Sequence, residues 1–454
     1  MFAACTLFLA ACGKQTVKIM TPPDASNRVQ FSAEQLQTTL DKAGYQVMMQ
    51  QGDTTFSDPE IKTILLTEVN DTTLKKEGFH ITTTGNLTKV SGRDGSGVIY
   101  GCRELIDCVN DSDGKLNFPE DLKDAPEMVL RGACVGLQKM TYLPGHGVYE
   151  YPYTPESFPW FYDKEQWIKY LDMLVANRMN SLYLWNGHPF ASLVKLEDYP
   201  FALEVDEETF KKNEEMFSFL TEEADKRGIF VIQMFYNIIL SKPFAEHYGL
   251  KTQDRNRPIT PLIADYTRKS IAAFIEKYPN VGLLVCLGEA MCTVEDDVEW
   301  FTETIIPGVK DGLQALGRTD EPPLLLRAHD TDCKLVMDAA LPIYKNLYTM
   351  HKYNGESLTT YEPRGPWSKI HTDLSSLGSI HISNVHILAN LEPFRWGSPD
   401  FVQKAVQAMH NVHGANALHL YPQASYWDWP YTADKLPNGE REFQLDRDWI
   451  WYQT

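Results

Sequence analysis

The chain is short of positive charge. Lys and Arg number 42 against 61 Asp and Glu, a formal net charge of −19 over 454 residues. Nucleic acid is thereby excluded as a partner, because its phosphates demand basic patches. An anionic ligand must be held by a few local cations and not by the overall field. Metal signatures are lacking as well. Of eight cysteines, Cys5 and Cys12 sit in an apolar leader, and none of the others forms a C-x-x-C pair or a Cys/His cluster of zinc spacing. No metal is expected, and the body cysteines read as buried small hydrophobes. The glycines of "GSGVIYG" come with neither a P-loop lysine nor a G-x-G-x-x-G pattern, so a nucleotide site is rejected and no cofactor is expected.

A long hydrophobic run is also missing from the N-terminus. "MFAACTLFLAACGK" is far too short to span a bilayer as a helix. It looks like a secretory signal closing on a lipobox, Leu9-Ala10-Ala11-Cys12. That likeness implies lipidation at Cys12, a membrane anchor, and export as a bacterial lipoprotein in the periplasm or at the outer membrane.

What remains is ordinary globular sequence, 43% hydrophobic and 23% charged, long enough for two or three domains. After the leader (1–14), residues 15–125 suggest a small α/β accessory domain. "TVKIM" and "KTILLTEV" read as strands and "SAEQLQTTLDKAG" as a helix. "EGFHITTTGNLTKVSGRD" alternates like a hairpin, and "GSGVIYGCRELIDCV" is helical. Pro119–Pro126 reads as a linker. From 126 to 454, eight apolar runs alternate with helical patterns: "MVLRGACVGL", "NSLYLW", "IFVIQMFY", "VGLLVCL", "PLLLRAH", "NLYTMHKY", "NVHILANL" and "NALHLYP". That alternation predicts an α/β fold with a (β/α)₈ TIM barrel. The chain stops at "DRDWIWYQT", where an eighth helix is expected, so a truncated barrel is anticipated.

Active sites of such barrels lie at the C-terminal strand ends. The residues there are Trp185, Asn186 and His188 after strand two, Asn237 after three and Glu289 after four. Arg327, His329 and Asp330 close strand five, and Lys352 and Glu356 follow six. Glu392, Arg395 and Trp396 follow seven, and Trp427 follows eight. Glycoside hydrolysis needs converging carboxylates, one to protonate the leaving oxygen and one to activate water or attack the anomeric carbon. Glu289, Glu392 and Glu356 are the candidates. Trp185, Trp396 and Trp427 are sugar platforms or rim packing. His188 and His329 orient hydroxyls or form a hydrogen-bonded wall. Arg327 binds substrate or pairs with Glu289 or Asp330.

The blocks "RGACVGL", "LVCLGEA", "LLLRAHDTD", "HKYNGE", "YEPRGP" and "LANLEPFRWG" resemble the α-glucuronidases of glycoside hydrolase family 67. The N-terminal unit is similar to the accessory domain that these enzymes share with β-hexosaminidases. The resemblance implies Glu289 as general acid, Glu392 on the water-activating side of an inverting mechanism, and Arg327 as the cation for a uronate carboxylate. Val285–Gly288 stands where the family has a lysine. The expected activity is exo-hydrolysis of a terminal α-linked uronic acid from a plant or algal oligosaccharide. The alternatives are an exo-glycosidase on a neutral or N-acetylated sugar, or a glycan-binding lipoprotein without catalysis.

Overall fold

The computed structural model describes residues 14–53, 55, 59–137, 151–236, 239–288, 291, 293–356, 360–386, 398–421 and 431–443. The chain divides into two compact units, one up to Pro126 together with Lys226–Gly228, the other holding the rest.

The first unit is a six-stranded sheet of β1 (Thr16–Thr21), β2 (Gln46–Gln51), β3 (Lys62–Glu68), β4 (Phe79–Thr84), β5 (Leu87–Gly92) and β6 (Asp121–Asp124). Its order is β2-β1-β3-β5-β4-β6. Helices α1 (Asn27–Lys42) and α2 (Gly95–Asp111) pack on each other and on the sheet. The segment read as a linker contains β6, which pairs antiparallel with β4. Its "DLKD" is an edge strand with three exposed residues out of four, so it carries no apolar signal. β2 went unread for the same reason. Its residues are exposed or half-buried along the opposite edge. Helix α1 begins five residues before the expected Ser32, capped by Ser26.

The second unit is the expected barrel. Eight parallel strands close on themselves: β7 (Leu130–Gly136), β8 (Ser181–Trp185), β9 (Phe230–Tyr236), β10 (Val281–Cys286), β11 (Leu324–Arg327), β12 (Leu347–Glu356), β13 (Ile380–His386) and β14 (Ala417–Tyr421). β8 and β10 are buried along their whole length, which is why they read as unbroken apolar runs. Alternate residues fill the lumen, among them Tyr183, Ile232, Leu284, Leu325, Met350 and Ile382. Gly132 is required there, because a Cβ would lie 2.2 Å from both the backbone oxygen and Oγ of Ser181.

The helix after β10 changes winding at Trp300–Ile305, a π-helical turn between Val294–Glu299 and Ile306–Ala315. Pro307 follows after Ile306, and its missing N–H leaves a carbonyl one turn back without an α-helical partner. Two expectations need correction. Strand seven begins at Ile380 and not at Asn384, because His381 and Ser383 interrupt the apolar run on its helix-facing side; residues 387–391 of the expected strand lie outside the described residues. A helix at Pro366–Ser375, whose only buried residues are His371 and Leu374, precedes it. Tyr431–Lys435 and Arg441–Phe443 form an antiparallel hairpin. Among the described residues no helix is long and apolar enough to cross a membrane.

Candidate active site

Register builds the site. Tyr236, Cys286 and Arg327 stand in one row on β9, β10 and β11, at the C-terminal ends of those strands. Arg327 is buried. It donates from Nη1 to the Tyr236 hydroxyl at 3.3 Å and toward Cys286 Sγ at 3.6 Å, and its guanidinium lies 5.4 Å over the Trp185 ring. Trp185 is itself buried, edge-on to Tyr236 and Tyr421. It therefore forms the lumen wall behind the cation and is not an open sugar platform.

On the next strand Lys352 shares a row with Asn384 of β13 and His419 of β14. His351 turns its Nδ1 to the Lys352 carbonyl at 3.0 Å, and burial pushes its pKa below the ordinary value. His329 Nε2 stands 3.6 Å from the Asp330 carboxylate on a half-exposed loop, with Asp330 in the left-handed region at φ 51°. Arg327 and Lys352 thus put two cationic side chains on neighbouring strands toward the mouth, against the sign of the chain as a whole, whereas His351 packs on Trp367 and His371 of the helix outside.

Gly288 answers why a glycine precedes Glu289. A Cβ there would lie 1.8 Å from the Asp330 carbonyl oxygen, so only glycine lets the loop after β11 close over the end of β10. The Gly288 N–H donates to Thr331 Oγ1 at 3.0 Å, and Thr331 Oγ1 donates to the His329 carbonyl at 3.0 Å. Gly288 is therefore anchored beside Arg327's own loop.

Asn186 and His188 serve the scaffold. The Asn186 amide donates to the carbonyls of Leu137 and Tyr151 and accepts from the His188 backbone N–H, which satisfies the buried group internally. His188 is buried with Nε2 3.0 Å from the Tyr266 hydroxyl, and burial holds its pKa down at about 3. It is a neutral wall residue. Glu289, Glu392, Asn237, Arg395, Trp396, Trp427 and Cys12 lie outside the described residues, as does the Glu356 side chain.

Several site groups went unread in the sequence. His386 and Tyr421 are partners across β13 and β14, with rings stacked at 4.5 Å and 17°. Asn384 Nδ2 reaches His386 Nε2 at 3.2 Å, and His419 Nδ1 lies 3.0 Å from Asn384 Oδ1. The signal was present as polar residues at i, i+2 in "SNVH" and "HLY". In the expected strand seven, Asn384 and His386 stand at the opening and not near the mouth. No group of three or more metal-ligating side chains occurs among the described residues.

With this geometry in view, the solved structures become informative. A GH138 enzyme targeting pectin rhamnogalacturonan II is 75% identical, with a TM-score of 0.90 over 96% of this chain and 50% of that one. The barrel side of the chain is like a glycoside hydrolase. The chain spans half the length of that enzyme. Residues 12–121 match the model of glycosyl hydrolase family 20, domain 2. The β-N-acetylhexosaminidase of Bacteroides fragilis (13% identity, TM-score 0.53, 90% of this chain and 82% of that one) shares the fold. So does the chitobiase of Flavobacterium johnsoniae (13%, TM-score 0.52, 82% and 56%). No curated protein matches the chain. These likenesses are to families 138 and 20, whereas the likeness to family 67 rests on sequence blocks alone.

Proposed function

We propose that the chain is the accessory and barrel portion of an exo-acting glycoside hydrolase that removes a terminal α-linked uronic acid from the rhamnogalacturonan II of pectin. The observation that carries the reaction class and the glycan is 75% identity over 96% of the chain to an enzyme targeting that polysaccharide. The uronate is supported by the buried Arg327 at the barrel mouth in a chain of net charge −19. A guanidinium fork matches a carboxylate in two hydrogen bonds. Lys352 adds a second cation one strand on.

In this reading Glu289 is the general acid and Glu392 activates water on the opposite face of the sugar, with inversion. Glu356 is the reserve candidate. Arg327 and Lys352 hold the uronate carboxylate, and the indole of Trp185 behind Arg327 keeps the guanidinium in place. The chain works at the cell envelope, attached through a lipid at Cys12.

The N-terminal match and the fold neighbours favour one rival, an N-acetylhexosaminidase. Substrate-assisted cleavage of that kind wants an adjacent Asp-Glu pair, and here Gly288 precedes Glu289. Incubating the chain with rhamnogalacturonan II oligosaccharides and separating the released monosaccharides by anion-exchange chromatography decides the matter. A free uronic acid is the expected product. Release of a neutral or N-acetylated sugar alone would transfer the assignment to the rival.

A further inference from the structure

The outer face of β12 meets two buried imidazoles. Met350 lies in the lumen cluster, so Lys352, two residues on, turns inward as well, while Thr349, His351 and Tyr353 face the helices. His381 of β13 stands opposite Thr349 in the register, and His371 belongs to the helix Pro366–Ser375. Thr349, Tyr353, His371 and His381 are all fully buried. Thr349 Oγ1 is 3.0 Å from His381 Nδ1, and His381 Nε2 is 2.8 Å from His371 Nδ1. His371 Nε2 is in turn 3.0 Å from the Tyr353 carbonyl oxygen. The string leaves β12 at Thr349 and returns to it at Tyr353, so it brackets Lys352 from behind.

Its direction follows from the last link. A carbonyl oxygen only accepts, so the hydrogen of His371 sits on Nε2. Burial brings the pKa of His371 down to about 4 and holds that of His381 well below the ordinary value, so both rings are neutral. Nδ1 of His371 is then a bare lone pair that accepts from Nε2–H of His381, and Nδ1 of His381 accepts from the Thr349 hydroxyl. The opposite direction would set the bare Nε2 of His371 against the carbonyl, two acceptors face to face. Every ring nitrogen of the pair is matched, which is what makes a buried polar network rigid. Aromatic rings pack round it. The His351 ring lies 5.8 Å from His371 and 5.4 Å from Trp367, and a Cβ at Gly355, farther along β12, would lie 3.6 Å from Trp367.

We propose that this string positions a substrate-binding residue: it staples β12 from outside so that Lys352 meets the sugar carboxylate on the inside. Thr349, His381 and His371 are positioning residues and touch no substrate. The inference rests on the role given to Lys352 in the proposed function. A lysine is a point charge on a flexible four-carbon stem, so the placement of its backbone decides where the ammonium can reach. The ladder to β13 runs from Tyr348 to Lys352. The string ties both ends of nearly the same stretch to the neighbouring strand and to the covering helix. The cation is then held in register before substrate arrives.

The test uses the 454-residue chain labelled with ¹⁵N-histidine. A long-range ¹H–¹⁵N spectrum at neutral pH, assigned with His371→Gln and His381→Gln, should show hydrogen on Nε2 of both rings. Hydrogen on Nδ1 of either ring, or a doubly protonated ring, would overturn the string. Calorimetry then compares native rhamnogalacturonan II oligosaccharides with the same material after its carboxyls are reduced to alcohols. His371→Phe keeps the bulk of the ring and removes both of its links. It should weaken binding of the native material by roughly 3- to 30-fold, the range for coupled neighbours, and leave the reduced material within about twofold. His371→Gln returns a donor to the Tyr353 carbonyl and should recover most of that loss. In a Lys352→Met background His371→Phe should cost the native material nothing further, because the string acts through that lysine. Equal losses on the two materials, or the same loss with and without Lys352, would make the string a brace only and contradict the proposal. Should His371→Phe fail to fold, Thr349→Val removes one hydroxyl at the far end and should show a smaller loss confined to the native material. A wild-type chain that binds both materials alike refutes the proposed function instead, and the positioning role falls with it whatever the spectrum shows.

Discussion

Arg327 is the residue on which substrate class turns in the proposed function. It is buried, and it sits where a barrel binds its ligand. Arg327→Met should weaken binding of a uronide by about 2–4 kcal/mol, as for a lost charge-assisted contact, with little change for neutral analogues. Titration calorimetry with uronic and neutral sugars measures both, and equal losses would make the residue structural. For Glu289 the leaving group is the probe. Glu289→Gln should cost orders of magnitude on natural oligosaccharides and far less on a dinitrophenyl glycoside, whose leaving group needs no proton. Near-normal turnover of the natural substrate would move the acid to Glu356 or Asp330. At this scale sequence reading was uneven. Arg327 and Lys352 were visible as cations at the ends of apolar strands. Asn186 and His188 were visible too, but their hydrogen bonds go to Leu137, Tyr151 and Tyr266 within the scaffold. No strand-end pattern distinguishes a polar residue that serves a ligand from one that serves a loop.

Among the elements, β10 and its exit decide where the proposed acid stands. The strand is apolar throughout, and Gly288 then admits the Asp330 carbonyl where a side chain would be. Gly288→Ala cannot be absorbed by a flexible side chain, since the neighbour is backbone. The β11 loop must shift, at a cost of about 1–3 kcal/mol typical of overpacking. The variant should keep its barrel by circular dichroism, melt several degrees lower, and lose more activity than stability. Unchanged melting and turnover would mean that the loop does not close on β10. All eight barrel strands were legible because parallel strands covered on both faces are continuous apolar runs. Elements with a polar outer face were not. β2, β6 and the Pro366–Ser375 helix bury too little to leave a periodic signal. The start of strand seven at Ile380 had the largest effect, because it moves Asn384 and His386 from the opening of the expected strand to its C-terminal half, where the barrel mouth lies.

For the whole molecule, buried imidazoles set the response to acid. Burial lowers the pKa of His188 to about 3 and of His371 to about 4, and holds His381 and His419 well below 6.5. In each case the unfolded chain takes up the proton first. The stability these groups contribute is thus complete above about pH 6.5 and is lost as the pH falls toward their folded values, by up to about 1.4 kcal/mol per pH unit for each. Asp297 works in the opposite sense. Its carboxyl is raised to about 7 by burial and then by Asp296, so it favours the fold as the pH drops. Four imidazoles outweigh one carboxyl. The melting temperature should therefore fall steadily between pH 6.5 and 4.5, and a flat or rising profile in that window would show that these rings are not buried neutral.

The measurement that bears most directly on the central claim compares native rhamnogalacturonan II oligosaccharides with the same oligosaccharides after their uronate carboxyls are chemically reduced to alcohols. The glycosidic bonds are the same in both, and only the charge differs. We expect the chain to release sugar from the native material and to lose at least about 30-fold in kcat/KM on the reduced material, the equivalent of about 2 kcal/mol of charge-assisted binding. Equal rates on the two would contradict uronate recognition by Arg327 and with it the proposed function.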